Sequence, residues 1–250
     1  MQESFDFAAD DLTFIRTALT RAFGRLAPFE RPEPLWKLVR SLIGCRTYDV
    51  VADPALERLK QCWPHPSLLA GAQPSDVERV IGDVTYAKDK ASNLVATLQW
   101  IGREQPDYDL SFLRFWPLHQ ALAWLERLPG VGPKVAAATL NASTLRMRVF
   151  IVDSHVHRVL IRFGFIGRNA SAEDGRNAVT AAAPSFDADS LLELFAQMKK
   201  LGQTFCRPLR PNCPACPLHV RCRRVDWSPP VRVRSGPPRP YPAVLGSRRA

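Results

Sequence analysis

Apolar residues recur at every third or fourth position through most of this chain, as at Leu12, Ile15, Leu19 and Phe23 and again at Leu118, Ala121, Leu122 and Leu125. That spacing puts them on one face of a helix, and a chain so patterned folds by burying helical stripes against one another. No stretch alternates convincingly with period two, which argues against a sheet. The 22 prolines and 13 glycines break the pattern at short intervals, so the helices are short and their connections tight. The spacing predicts helices near residues 8–24, 34–46, 54–62, 74–82, 87–104, 117–127, 133–144, 154–163, 172–182 and 187–203. The expected fold class is all-α, and no segment repeats with a fixed period.

The length of 250 residues, 46% of them hydrophobic, suffices for one large domain or two small ones. The net charge of +10 is unevenly placed: residues 201–250 hold ten arginines and a single acid, Asp226. Such a bias points to a polyanionic partner. Nucleic acid fits better than a membrane, because nothing approaches the roughly 18 unbroken apolar residues of a spanning helix. The opening MQESFDFAADD has four acids and no base, unlike a signal or transit peptide, and a cytoplasmic, nucleoid-associated location is expected. From Trp227 the chain turns to SPPVRVRSGPPRPYP, so residues 227–250 are expected to form a disordered basic tail.

The segment WLERLPGVGPKVAAATLNAS predicts a helix, a tight hairpin over Leu128–Gly132 and a second helix opening at Pro133. Gly130 and Gly132 permit positive φ and leave backbone amides uncovered, and proline suits the first helical position. Free amides at a helix start bind phosphate. Lys134 then falls in the first turn, where the positive end of the helix dipole disfavours an ammonium and favours a nucleophilic amine. In isolation such a lysine is more often a surface contact to phosphate. Nineteen residues on, FIVDSHVHRVLIRFGF places Asp153 just before a helix, where a carboxylate caps free amides and is also fixed in position to act chemically. His155 and His157 read as structural or phosphate-facing groups.

Cys206, Cys213, Cys216 and Cys222 follow C-x6-C-x2-C-x5-C, close enough for one loop to wrap one metal group. Only Cys213 and Cys216 form the short pair typical of zinc knuckles, and the ferredoxin spacing differs too, so spacing leaves both zinc and an iron–sulfur cluster open. Arg207 and Arg210 lie between the first two ligands and would be presented to phosphates by the ordered loop. Cys45 and Cys62 lack ligand-like partners and read as core or near-surface thiols.

Together, LPGVGPKVA and VDSHVHRV resemble the helix-hairpin-helix glycosylase superfamily in its endonuclease III branch, over roughly residues 12–226. The resemblance implies two α-domains with a cleft between them: residues 32–145 carrying the hairpin, and residues 1–31 with 146–226 carrying a structural [4Fe–4S] cluster on the four cysteines. It implies an enzyme of base excision repair that binds damaged or abasic double-stranded DNA as a monomer, with Lys134 as nucleophile and Asp153 assisting. The hairpin backbone at Gly130, Val131 and Gly132 would contact DNA, with His155 nearby. The expected activity is a bifunctional DNA glycosylase and abasic-site lyase acting on oxidised pyrimidines. The alternatives are a monofunctional glycosylase, a lyase for another lesion, and a noncatalytic iron–sulfur DNA-binding protein. The adenine glycosylases of the superfamily lack a lysine at the hairpin position. Two departures stand out: Arg46 occupies the place of the usual glutamine wedge in SLIGCRTYD, and Thr85 replaces the glycine before Tyr86, which matches the place of an apolar wedge.

Overall fold

Proline and short polar side chains set most of the helix starts. Pro34, Pro66, Pro74 and Pro133 each occupy the opening of a helix, where no amide hydrogen is needed. Asp153, Ser171 and Asp187 cap three later helices with side-chain oxygens. In the computed structural model, which describes residues 3–225, these signals produce α1 (Glu3–Phe23), α2 (Pro34–Ile43), α3 (Asp49–Cys62), α4 (Pro66–Ala70), α5 (Pro74–Val80) and α6 (Ala87–Glu104). A 3-10 turn (Ser111–Phe115) leads to α7 (Leu118–Glu126), α8 (Pro133–Asn141), α9 (Ser154–Phe163), α10 (Ala172–Ala182) and α11 (Ala188–Thr204). No strand occurs among the described residues, as the all-α expectation requires. The expected basic tail at 227–250 lies outside the described residues.

Three departures from the periodicity have local causes. α3 begins at Asp49 rather than at residue 54, because Pro54 sits inside the helix instead of opening it. The carbonyl that its missing N–H would have bonded belongs to Val50, which is 81% exposed, so water can take the bond. α4 has only five residues, too few to display a period; the His65 side chain caps it by accepting from the Ser67 amide at 3.3 Å. α8 stops at Asn141 rather than 144, and the Ser143 hydroxyl donates back to the Thr139 carbonyl at 2.6 Å.

The buried apolar residues form two clusters. The first gathers α2 through α8, with Leu38, Ile43, Leu59, Leu69, Ile81, Leu94 and Leu98 fully enclosed. The second gathers α1 with α9, α10 and α11 around Ile15, Leu19, Phe150, Phe163 and Met198. Between α8 and α9 the chain runs without helix, and its side chains alternate: Val149 and Ile151 enter the first core, Phe150 and Val152 the second. This short extended run is a seam buried on both faces, the one place where a period of two governs packing. Across the seam Asn141 Nδ2 donates to the Ala188 carbonyl at 3.0 Å, and the largely buried Arg31 bonds both the Asn141 carbonyl and Asp189. The seam ends at Asp153, so the second core fixes where that carboxylate begins α9.

Candidate active site

The hairpin before α8 is built by one positive-φ glycine and one hydroxyl. Gly130 has φ +75°, and a Cβ there would stand 3.0 Å from Asn93 on α6. Thr97 on the same helix donates to the Pro129 carbonyl at 2.7 Å and holds the turn against the first core. Gly132 corrects the sequence reading, for its φ of −104° and ψ of −179° are extended backbone open to any residue. A Cβ on Gly132 would meet nothing within 4 Å, so the glycine leaves space rather than permitting a turn. The Val131 amide donates to the Leu128 carbonyl at 3.0 Å and its side chain is buried. The amides of Gly130, Gly132 and Lys134 donate to nothing among the described residues, so the α8 opening presents bare N–H groups as an anion site requires.

Lys134 lies half-buried in the first turn of α8, and burial lowers its pKa. The Cys45 thiol and Asp153 oppose that shift, while Lys199 and Arg40 reinforce it. Asp153 caps α9 with Oδ1 alone, accepting from the amides of His155 at 2.9 Å and Val156 at 2.8 Å. Its Oδ2 makes no hydrogen bond among the described residues. The two side chains act on each other electrostatically yet form no ion pair. A lysine and a carboxylate from different helices therefore share one region without neutralising each other directly.

Five further groups, spread over four elements, complete this surrounding. On α2, which packs against α8, stand Lys37 and Arg40, and just beyond it Cys45. Arg40 is paired with Asp53 at 2.5 Å and with Asp49 at 2.9 Å, and Lys199 of α11 bonds the other oxygen of Asp49 at 2.8 Å. Lys90 of α6, whose pKa burial also lowers, donates to the carbonyls of Ile43 and Cys45 and to the Thr47 hydroxyl. Sequence reasoning missed Lys37, Arg40, Lys90 and Lys199 because no local motif joins them. A lysine and an arginine three residues apart in the mostly apolar PLWKLVRSLI were the available signal. Cys45, read as a core thiol, packs against the first core but also lies beside Lys134 and Lys90.

The two wedge candidates meet. Arg46, with φ 54°, and Tyr86, with φ 59°, are both left-handed and exposed, and the Arg46 guanidinium lies 5.9 Å from the Tyr86 ring centroid. The left-handed conformation at nonglycine residues is costly and held by surrounding structure. Here the Thr85 amide donates to the Thr47 hydroxyl at 3.2 Å, and Lys90 clamps the other side of the same loop. His155 is bonded to Arg158 at 3.2 Å and packs closely under Gly202, and His157 contacts the Ala170 carbonyl at 2.8 Å.

Cys206, Cys213, Cys216 and Cys222 line one cavity together with Arg162, Phe205 and His219. Among the described residues no three or more His, Cys, Asp or Glu are drawn in as for a single metal ion; the thiols surround a shared space. Arg162 donates to the carbonyls of Arg207 at 2.7 Å and Pro208 at 2.8 Å, bracing the loop from α9. Arg207 and Arg210 are exposed on that loop, away from the Lys134 cluster in sequence and borne by the second core's side of the molecule.

Comparison with known proteins accords with this geometry. Residues 39–184, more than half of the chain, match the family described as HhH-GPD superfamily base excision DNA repair protein; the cysteine loop follows the matched region. The chain is 29% identical over 204 residues to the chloroplastic endonuclease III homolog 2 of Arabidopsis thaliana, covering 79% of this chain and 49% of that protein. It thus spans about half the length of that relative. It is 26% identical over 194 residues to endonuclease III of Thermotoga maritima, covering 76% of this chain and 83% of that one. Its fold is similar to the solved structure of a trapped endonuclease III–DNA covalent intermediate, with TM-score 0.70 and 19% identity, covering 86% of this chain and 96% of that chain.

Proposed function

Because the chain belongs to the HhH-GPD superfamily of base excision DNA repair proteins, we propose that it is a bifunctional DNA glycosylase and abasic-site lyase of the endonuclease III type. Its substrate is double-stranded DNA carrying a damaged base, oxidised pyrimidines first, or an abasic site. The observation that carries this reading is the half-buried Lys134 amine at the open start of α8, within electrostatic reach of Asp153 and with no ion pair between them.

Each part has a physical task. The bare amides at the α8 opening grip a phosphate of the strand. A stacked base hides its glycosidic bond, so the nucleotide must leave the helix; Arg46 and Tyr86, exposed and in contact with each other, would fill the gap. Lys134 as a free amine attacks C1′, the N–C bond forms, and the base departs with the glycosidic electron pair. Asp153, through its unoccupied Oδ2, stabilises the positive charge growing on the sugar and takes up the lysine proton. The resulting Schiff base acidifies the C2′ hydrogen, and β-elimination breaks the strand on the 3′ side.

Four thiols around one cavity fit an iron–sulfur group, and Cys206, Cys213, Cys216 and Cys222 would hold a [4Fe–4S] cluster. When bound, it supplies rigidity to the loop that presents Arg207 and Arg210 to phosphates, not chemistry at the sugar. We read the two apolar cores as two domains with the cleft along their seam. The test is borohydride trapping and nicking across a panel of lesion duplexes, with iron and sulfide analysis of the purified protein. Trapping by the unmodified chain and its abolition in Lys134→Ala are expected, with Lys134→Gln still binding DNA. Undiminished trapping in Lys134→Ala overturns the assignment of the nucleophile.

A further inference from the structure

Arg46 and Tyr86 stand on different loops, yet one small set of hydrogen bonds fixes both. The Thr47 hydroxyl, one residue beyond Arg46, accepts from the Thr85 amide at 3.2 Å, one residue before Tyr86. It also accepts from Lys90 Nζ at 3.0 Å and donates to the Cys45 carbonyl at 3.4 Å, so its bonding capacity is filled. Lys90 Nζ directs its two other donors to the carbonyls of Ile43, at 2.8 Å, and Cys45. The backbone amide of the same Lys90 bonds the Tyr86 carbonyl at 3.1 Å. The bonds therefore fall beside Arg46 on one loop and beside Tyr86 on the other.

Both residues need such holding. They are left-handed, with φ 54° and 59°, a conformation that nonglycine residues leave unless their surroundings fix it. Burial does not offset the strain, for Tyr86 is 58% exposed and Arg46 is exposed as well. What the strained backbones achieve is contact between the two side chains, with the guanidinium 5.9 Å from the ring centroid. Released, either backbone would relax toward the right-handed region and swing its side chain away from the other.

We propose that Thr47 and Lys90 are positioning residues that clasp the two loops, so that Arg46 and Tyr86 enter the duplex as one preformed wedge. The proposal rests on the reading of Arg46 and Tyr86 as the groups that fill the gap left by the extruded nucleotide. Stacked bases press back on whatever enters that gap, and a wedge carried on two independent loops yields by turning either backbone. With the clasp closed, the ordering is complete before DNA is met.

The experiment is stopped-flow fluorescence at saturating protein on a duplex that holds a tetrahydrofuran abasic analogue opposite 2-aminopurine, whose emission rises when it is unstacked. Thr47→Val removes the hydroxyl and keeps the branched shape; it is expected to slow the rise about tenfold, the scale of a lost hydrogen bond to a charged group. Lys90→Met is expected to do the same, and Thr47→Ser, which restores the acceptor, to keep the original rate. Affinity for an undamaged duplex, where no gap is filled, is expected to be unchanged in Thr47→Val. An unslowed rise in Thr47→Val overturns the proposal. So do equal slowing in Thr47→Ser and a matching loss of affinity for undamaged duplex, the marks of a side chain needed only for folding. If Lys90→Met fails to fold, the two threonine variants decide the matter. The tetrahydrofuran cannot form a Schiff base, so the outcome is independent of the chemistry assigned to Lys134. A rise that Arg46→Ala and Tyr86→Ala both leave intact removes these two residues from the gap, and the clasp loses its role with them.

Discussion

Asp49 accepts a hydrogen bond from Lys199 at 2.8 Å and thereby joins the start of α3, in the first apolar core, to α11, most of whose buried residues lie in the second. Its other oxygen accepts from Arg40 at 2.9 Å, so a single carboxylate balances two of the cations around Lys134. The bridge spans the seam beside the candidate cleft, where small displacements would alter both charge and geometry.

A pH dependence of stability follows. Partial burial raises the Asp49 carboxyl, but the bonds from Lys199 and Arg40 outweigh it and hold the group at about 2. A carboxylate lowered on folding stabilises the fold above its unfolded value of about 3.9 and loses that contribution as pH falls toward the folded value. Urea unfolding measured at stepped pH should therefore show a steeper loss between about 4 and 2 in the unmodified chain than in Asp49→Asn. Parallel curves would mean that the bridge does not act on stability.

Asp153 caps α9, and the proposed reaction gives it a second task that substitution can separate from the first. Asparagine preserves an N-cap acceptor and removes the charge, whereas alanine removes both. Asp153→Asn should keep its unfolding free energy within about 0.5 kcal/mol, and Asp153→Ala should lose about 1 kcal/mol. Lyase turnover should fall in both by roughly a hundredfold, the ordinary scale for losing an acid–base group. Full turnover in Asp153→Asn would reduce the residue to a cap.

The two hairpin glycines should behave oppositely. Gly130→Ala places a side chain at φ +75° and 3.0 Å from Asn93, so thermal unfolding should reveal a loss of about 1–2 kcal/mol. Gly132→Ala adds a methyl in extended backbone and open space, so stability should hold while affinity for duplex DNA drops. Unchanged affinity in Gly132→Ala would remove the α8 opening from the DNA interface.

Salt dependence tests the cysteine loop. Arg207→Ala with Arg210→Ala should weaken binding to all duplex sequences and flatten the slope of log affinity against log salt by about two, roughly one per lost phosphate contact. An unaltered slope in a binding titration would take both arginines out of the contact surface.

The sequence by itself determined every described α-helix but the five-residue α4, the hairpin before Lys134, the cap at Asp153 and the spacing of the four cysteines. All of these are short-range patterns: a spacing of three to four, a proline at a helix start, a polar residue ahead of free amides, ligands within one loop. The tertiary structure alone decided the rest. It showed that Gly132 leaves space rather than turning the chain, and that Val131 spends its amide inside the hairpin. It also gathered Lys37, Arg40, Asp49, Lys90 and Lys199 from four helices around one amine. Their sequence separations carry no period or motif, because helix packing brings them together only after each helix has formed. The charge gathered around Lys134 is thus a property of the packing, while the lysine and its hairpin were legible in nine consecutive letters.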